Sequence, residues 1–247
     1  VKIINRLVVF TAITFTGLSL AEDTVYEIQY DAWKIKYNCD KRGYEWFEYK
    51  TVTDTGSLER YHPFHQERSL PEECRQFSTG SYKGQYNHPE LGIQKYDRGH
   101  GVHQNIFDHR EDLMKHSNLM SNIVPQESRL NRNGLWRYIE QVTECARDKE
   151  DLIVWGGVIW GDNSDNDVNL ESHGVVTPDY LWKVIEYTDG HVDAWIMPND
   201  NRPKRREAEK YLVSVHEIEK KTGHSINAHN KYLKSKSHRK LIKCSYE

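Results

Sequence analysis

Apolar and polar positions alternate along several short stretches of the chain, and turn residues separate them. Residues 26–37 and 46–52 alternate and are rich in aromatic and β-branched side chains, which predicts half-buried strands. Between residues 53 and 89 the pattern breaks at Gly56, Pro63, Pro71, Gly80, Gly84 and Pro89, which predicts a long loop region. A loop of that length in a compact domain needs an anchor, and Cys74 can supply one at the border of a substrate groove. Leu135, Ile139 and Val142 recur at helical spacing, so residues 135–147 read as a helix with Asn133 as N-cap, and Trp136 and Glu140 share a face. Residues 152–160 form an apolar run with Gly156-Gly157, a buried strand that then bends. Residues 181–187 and 192–197 follow as strands joined by a tight turn at Asp189-Gly190. Ser214-Val215-His216-Glu217 fits a capping box that opens a helix, and Gly223 can close it. The result is an α+β domain with an antiparallel β-sheet core and helices, without internal repeats.

At 247 residues the chain is long enough for one sizeable core. Lys2 and Arg6 precede an apolar run over residues 7–20, with small residues at Ser19 and Ala21. That layout predicts an export signal over residues 1–21, and cleavage after Ala21 leaves residues 22–247 as a single domain. A membrane anchor is the competing reading, but Thr11, Thr14, Thr16 and Ser19 interrupt the run, which falls short of the roughly 20 apolar residues a spanning helix needs. The expected location is secreted or periplasmic, with no stable membrane association after signal removal. In such a setting Cys39, Cys74, Cys145 and Cys244 are expected to form disulfides, since no Cys-x-x-Cys argues for a metal cluster. The pairing Cys39–Cys74 with Cys145–Cys244 is preferred, because the other two connectivities tie the early region to distant elements across the candidate catalytic centre near His100.

Charge is unevenly placed. Residues 202–243 carry 13 Lys/Arg against 4 Asp/Glu, whereas the rest of the chain after residue 21 carries 19 against 33. A local basic segment on an acidic body suits attraction of a polyanion, and it equally suits a solvated tail.

Candidate chemistry concentrates in three blocks: Tyr96-Asp97-Arg98-Gly99-His100, Ser121-Asn122-Ile123-Val124-Pro125-Gln126, and the stretch Leu130-Asn131-Arg132-Asn133-Gly134-Leu135-Trp136-Arg137-Tyr138-Ile139-Glu140. In this order they resemble the DNA/RNA non-specific endonucleases, the family of endonuclease G and the secreted sugar-non-specific nucleases. Glu45-Trp46-Phe47-Glu48-Tyr49 is similar to an early family strand, and Glu217-Ile218-Glu219-Lys220-Lys221-Thr222-Gly223 to a late helix, so the resemblance spans about residues 42–226. It implies a ββα-metal (His-Me finger) motif with His100 on its β part and Asn131 at the approach to its helix. It further implies a single divalent cation, DNA and RNA as substrates, products with 5′-phosphate and 3′-hydroxyl ends, and a homodimer as in many relatives.

The chemistry of these side chains fits those roles. Hydrolysing a phosphodiester takes a base for the attacking water, a cation and a positioned phosphate. Histidine, with an unperturbed pKa of about 6.5, is largely neutral and proton-accepting at neutral pH, which makes His100 the candidate base. General-base help supplies only about 10²–10⁴ in rate, so charge stabilisation by a cation must supply most of the remainder. Asn131 is the candidate ligand of Mg²⁺, with Mn²⁺ or another divalent ion as the alternative, because a hard ion accepts one amide oxygen and keeps a water shell. Glu140 is placed to hold that shell through water. The step from Asn131 to Trp136 is one residue longer than is usual in the family, which leaves Asn133 as the other possible ligand. Arg98 beside the base is a candidate for transition-state stabilisation or for a salt bridge with Asp97. Arg60, Asn122 and Arg137 are candidate substrate-binding residues, and Arg132 flanks the same helix start. Two other readings remain open: a zinc-dependent hydrolase built on His100, His103, His109 and His116, and a secreted nucleic-acid-binding protein with a decayed nuclease site.

Overall fold

The computed structural model describes residues 2–6 and 23–239. Ten strands and five α-helices are assigned among them. Strands β1 (Lys2–Arg6), β2 (Val25–Gln29), β3 (Trp33–Asn38) and β4 (Gly43–Lys50) form a meander. Strands β5 (Gln85–His88), β6 (Gly92–His100) and β7 (Ile123–Glu127) make a second, three-stranded sheet, with helix α1 (Glu111–Ser117) between β6 and β7. Helices α2 (Ser128–Arg132) and α3 (Leu135–Arg147) follow, then β8 (Ile153–Ile159) and the short helix α4 (Leu170–His173). Strands β9 (Tyr180–Glu186) and β10 (Val192–Pro198) and helix α5 (Val215–Thr222) complete the order. The main sheet runs β1-β2-β3-β4-β8-β9-β10, with every described pairing antiparallel.

The period of two along each strand sorts its side chains between two layers. On one face Phe47, Val154, Leu181 and Ile185 meet Leu135, Trp136, Ile139 and Val142 of α3. On the other, Trp46, Trp155, Trp182 and Val184 meet Val215 and Ile218 of α5. Full burial of an aliphatic or aromatic side chain contributes roughly 1.5–3 kcal/mol, so α3 is fixed mainly by this stripe. Ser214 caps α5 in a capping box, and Gly223, at φ 67°, closes it in the left-handed region that glycine tolerates.

Two sequence expectations change in detail. The segment 26–37 is two strands, because the chain turns between Gln29 and Trp33, where neither Gly nor Pro marks a hairpin. Asn133 is the C-cap of α2, and Gly134 holds the N-cap position of α3 with no side-chain cap. Asn133 is thus taken up in ending one helix before the next begins, which a periodicity reading cannot separate.

Cys39 and Cys74 are bonded, with Cα atoms 4.5 Å apart, and anchor the long loop region across 35 positions. Closing a loop of that size contributes about 4 kcal/mol at most. Cys244 lies outside the described residues, as do residues 7–21 of the expected export signal. Of the expected signal, residues 2–6 are described, as the edge strand β1 on β2. Among the described residues no helix is long and apolar enough to cross a membrane.

Phe47 links the main sheet to the finger. A Cβ at Gly156 would lie 2.2 Å from Phe47 Cζ, and one at Gly101, directly after His100, would lie 2.8 Å from Phe47 Cδ1. The ring therefore fills the space that two glycines leave. Gly156→Ala is expected to cost about 1–3 kcal/mol by overpacking. Urea unfolding measures this, and an unchanged midpoint would contradict the packing described.

Candidate active site

Strand β6 pairs antiparallel with β7 so that Tyr96 faces Glu127 and His100 faces Ile123. Glu127 then caps α2, its Oε2 accepting from the amides of Arg129 and Leu130 at 2.8 Å each. This ββα unit carries His100 at the end of one strand and Asn131 in the short helix after the other. A cleft of about 560 Å³ is lined by Arg60, Arg98, His100, Asn131, Arg137 and Glu140, among others. A second cleft of about 570 Å³ shares Arg60, Arg98, Asn131 and Arg132 with the first, so the two meet at those residues.

His100 is 9% exposed, and its Nε2 lies 2.8 Å from Asn118 Oδ1. Asn118 donates its amide nitrogen to the carbonyls of Tyr61 and Pro63, at 2.9 and 3.0 Å, which fixes its oxygen toward the imidazole. Nε2 must therefore carry the proton, and Nδ1 of the neutral ring is the free acceptor. Among the described residues Nδ1 has no hydrogen-bond partner. Burial pulls the His100 pKa down from 6.5 to about 4, against the opposing effect of the Asn118 bond. The ring is consequently neutral at pH 7.

Asp97 does not bridge to Arg98. Its Oδ2 accepts from Arg132 Nε at 2.7 Å and from Asn131 Nδ2 at 3.1 Å. Asn131 spends its donor there, and among the described residues its Oδ1 has no hydrogen-bond partner. Arg98 instead donates to the Thr79 carbonyl at 2.7 Å and stacks 3.8 Å over Phe64. Arg137 spans Glu140 at 3.2 Å and Glu144 at 3.0 Å, so its charge is engaged by carboxylates on its own helix. Arg60 is exposed and lines both clefts.

Asn122 does not reach the cleft. It is fully buried, accepts from the Val102 amide at 2.9 Å and donates to the Val102 and Ser117 carbonyls at 2.8 Å each. The geometry makes it a brace for the chain beyond His100, in place of the expected substrate contact. Sequence reasoning missed Asn118 and Glu144. Asn118 carried no local signal, because its partner lies 18 positions away.

An oxygen-preferring divalent cation fits this donor set: one unpartnered amide oxygen on Asn131, with the Glu140 carboxylate in the same cleft. Zinc does not. Among the described residues no group of three or more His, Cys, Asp or Glu converges on a metal position. Of the four histidines considered, only His100 and His103 line the cleft, while His109 and His116 pack near Phe107 and Tyr30.

The chain matches the model of the family described as DNA/RNA non-specific endonuclease over residues 16–234. No curated protein sequence matches it. Among solved structures it is similar to one titled as the EndoG/EndoGI complex and the mechanism of EndoG inhibition. That match has a TM-score of 0.62 and 21% identity and covers 85% of this chain and 86% of the other. At that identity the likeness is one of fold.

Because the unfolded state takes up a proton between pH 6.5 and 4 that buried His100 refuses, folded stability falls as pH drops through that window. In ¹⁵N-resolved NMR, His100 is expected as the neutral Nε2–H tautomer down to about pH 5, titrating near 4. Titration near 6.5, or an Nδ1–H tautomer, would contradict the assignment.

Proposed function

The chain belongs to the DNA/RNA non-specific endonuclease family, and we propose that it hydrolyses phosphodiester bonds in DNA and RNA, single or double stranded, with His100 as base. Its family acts with a divalent metal; Mg²⁺ is the ion proposed here, held through Asn131 Oδ1. When bound, the cation supplies charge stabilisation to the phosphoryl group and the departing oxygen.

His100 Nδ1 takes a proton from a water whose oxygen attacks phosphorus. The new bond is water oxygen to phosphorus, and the bond to O3′ breaks. O3′ leaves as an alkoxide and takes a proton from solvent, giving 5′-phosphate and 3′-hydroxyl ends. Asn118 holds the imidazole in the tautomer that exposes Nδ1, and the positive charge forming on the ring is offset by the phosphate it faces. The same phosphate raises the His100 pKa from its low value in the free protein toward neutrality, where a base is most effective. Arg98 and Arg60, which line both clefts, would meet phosphate oxygens there, and Asp97 would orient Asn131. The Glu140 carboxylate, which lines the same cleft, would hold the water shell of the cation.

The observation supporting this reading most strongly is the fixed Nε2–H bond to Asn118, because it leaves one defined acceptor on a buried, neutral imidazole. No helix-turn-helix or zinc-finger pattern is present in the sequence to read base edges, so recognition is of backbone and groove shape. Export is part of the proposal: removal of residues 1–21 would strip β1 from the sheet and leave β2 as its edge. A homodimer, as in many relatives, is proposed as well.

Plasmid DNA and structured RNA are expected to be cut with Mg²⁺ and spared with EDTA. His100→Ala is expected to slow cleavage by about 10²–10⁴-fold. Gel assays of both substrates check this, and full activity in the variant or in EDTA would overturn the reading.

A further inference from the structure

Gln104 opens a 3₁₀ turn, Gln104–Phe107, four residues after His100, and its side chain is buried at the wall of the cleft. The amide is used at both ends. Its Oε1 accepts the Tyr61 backbone N–H at 2.7 Å, and its Nε2 donates to the Tyr61 carbonyl at 3.0 Å. Nε2 also donates to Asn118 Oδ1 at 3.1 Å and lies 3.5 Å from the Met114 carbonyl. Tyr61 belongs to the long loop, directly after Arg60 and 43 positions before Gln104. Turned over, the Gln104 amide would set its NH₂ against the Tyr61 N–H and its oxygen against three other oxygens, so its orientation is fixed.

These bonds close on the base. Asn118 Oδ1 accepts from Gln104 Nε2 and from His100 Nε2, which uses both of its lone pairs. The Asn118 amide nitrogen donates to the same Tyr61 carbonyl that Gln104 holds, and to that of Pro63. Anchoring the loop needs only the two Tyr61 bonds. The third bond, to the oxygen that His100 also uses, is one that a loop anchor does not require. A buried polar network whose members are satisfied is rigid, and this one has the base at one end and the residue after Arg60 at the other.

We propose that Gln104 is a positioning residue: its side-chain amide ties the loop that carries Arg60 to the Asn118 oxygen that orients His100, so that one joint sets both. The Gln104 NH₂ faces Asn118, and an Asn118 amide turned over would meet it donor against donor. Removing the Gln104 amide lifts that conflict and frees the Tyr61 backbone, whose carbonyl holds the Asn118 nitrogen. Asn118 can then present its NH₂ to the ring, which favours the Nδ1–H tautomer. In that tautomer Nδ1 is no longer an acceptor, and the base is lost to the attacking water.

The proposal rests on the nuclease reading for its effect on cleavage, and the two can fail separately. If the parent protein cuts no nucleic acid with Mg²⁺, that reading fails, and the tautomer of His100 still decides this one. Gln104→Met keeps the length of the side chain and removes the amide. It is expected to lose about 10–100-fold in kcat/KM on plasmid DNA, as a misplaced catalytic group does. In ¹⁵N-resolved NMR it is expected to show a mixture of Nε2–H and Nδ1–H forms of His100, where the parent shows Nε2–H alone. A loop anchor without a role at the base would lower the melting temperature and leave the tautomer single. Parental kcat/KM, or an unmixed Nε2–H ring, in the folded variant would overturn the proposal. If Gln104→Met fails to fold, Gln104→Glu decides. Its protonated acid keeps the shape, the acceptor for Tyr61 and a donor toward Asn118, whereas its carboxylate keeps the acceptor alone. Buried carboxyl groups ionise as high as about pH 8–9, so its kcat/KM relative to the parent is expected to fall between about pH 6 and 10. That fall supports the joint, and a parental profile refutes it.

Discussion

The cleft depends on the antiparallel ladder between β6 and β7. Side chains on a strand alternate, so a slip of one residue in that ladder would turn His100 from the cleft to the opposite face and carry α2 with it. The register pairs Tyr96 with Glu127 and His100 with Ile123, and the side chains on either end lock it. Glu127 ends β7 by capping α2. Asp97, on the facing strand, reaches across to Asn131 and Arg132 of that helix. His100 and Asn131, 31 positions apart, thereby come to line one cleft.

Beneath that frame lies a layer of paired charges. Arg137, Glu140 and Glu144 of α3 form an ion-paired group that lines the cleft. Buried ions are stabilising only when paired and satisfied, and replacing such groups by apolar ones is often neutral or favourable. His100 obeys the opposite rule. Burial keeps it neutral.

Much of this was legible in the residues. Strands β4, β8, β9 and β10 alternate or run apolar between clear turns, and α5 carries both its capping box and its closing glycine. The finger itself was legible by motif, since β6 and β7 are too polar to be told from loop by alternation. The hairpin between β2 and β3 was hidden because Tyr30-Asp31-Ala32 lacks Gly and Pro. Asn118 was hidden because its role arises from backbone carbonyls of the long loop, at Tyr61 and Pro63, which no periodicity connects to it. Asn122 misled because a buried brace and a substrate contact need the same amide.

The central claim is that a divalent cation is held by Asn131 across the cleft from His100, with Asn133 occupied in ending α2. Mn²⁺ binding followed by electron paramagnetic resonance, in the parent, Asn131→Ala and Asn133→Ala, tests it most directly. The account predicts one site that weakens sharply in Asn131→Ala and persists in Asn133→Ala. Undiminished binding in Asn131→Ala, or loss in Asn133→Ala alone, would contradict it.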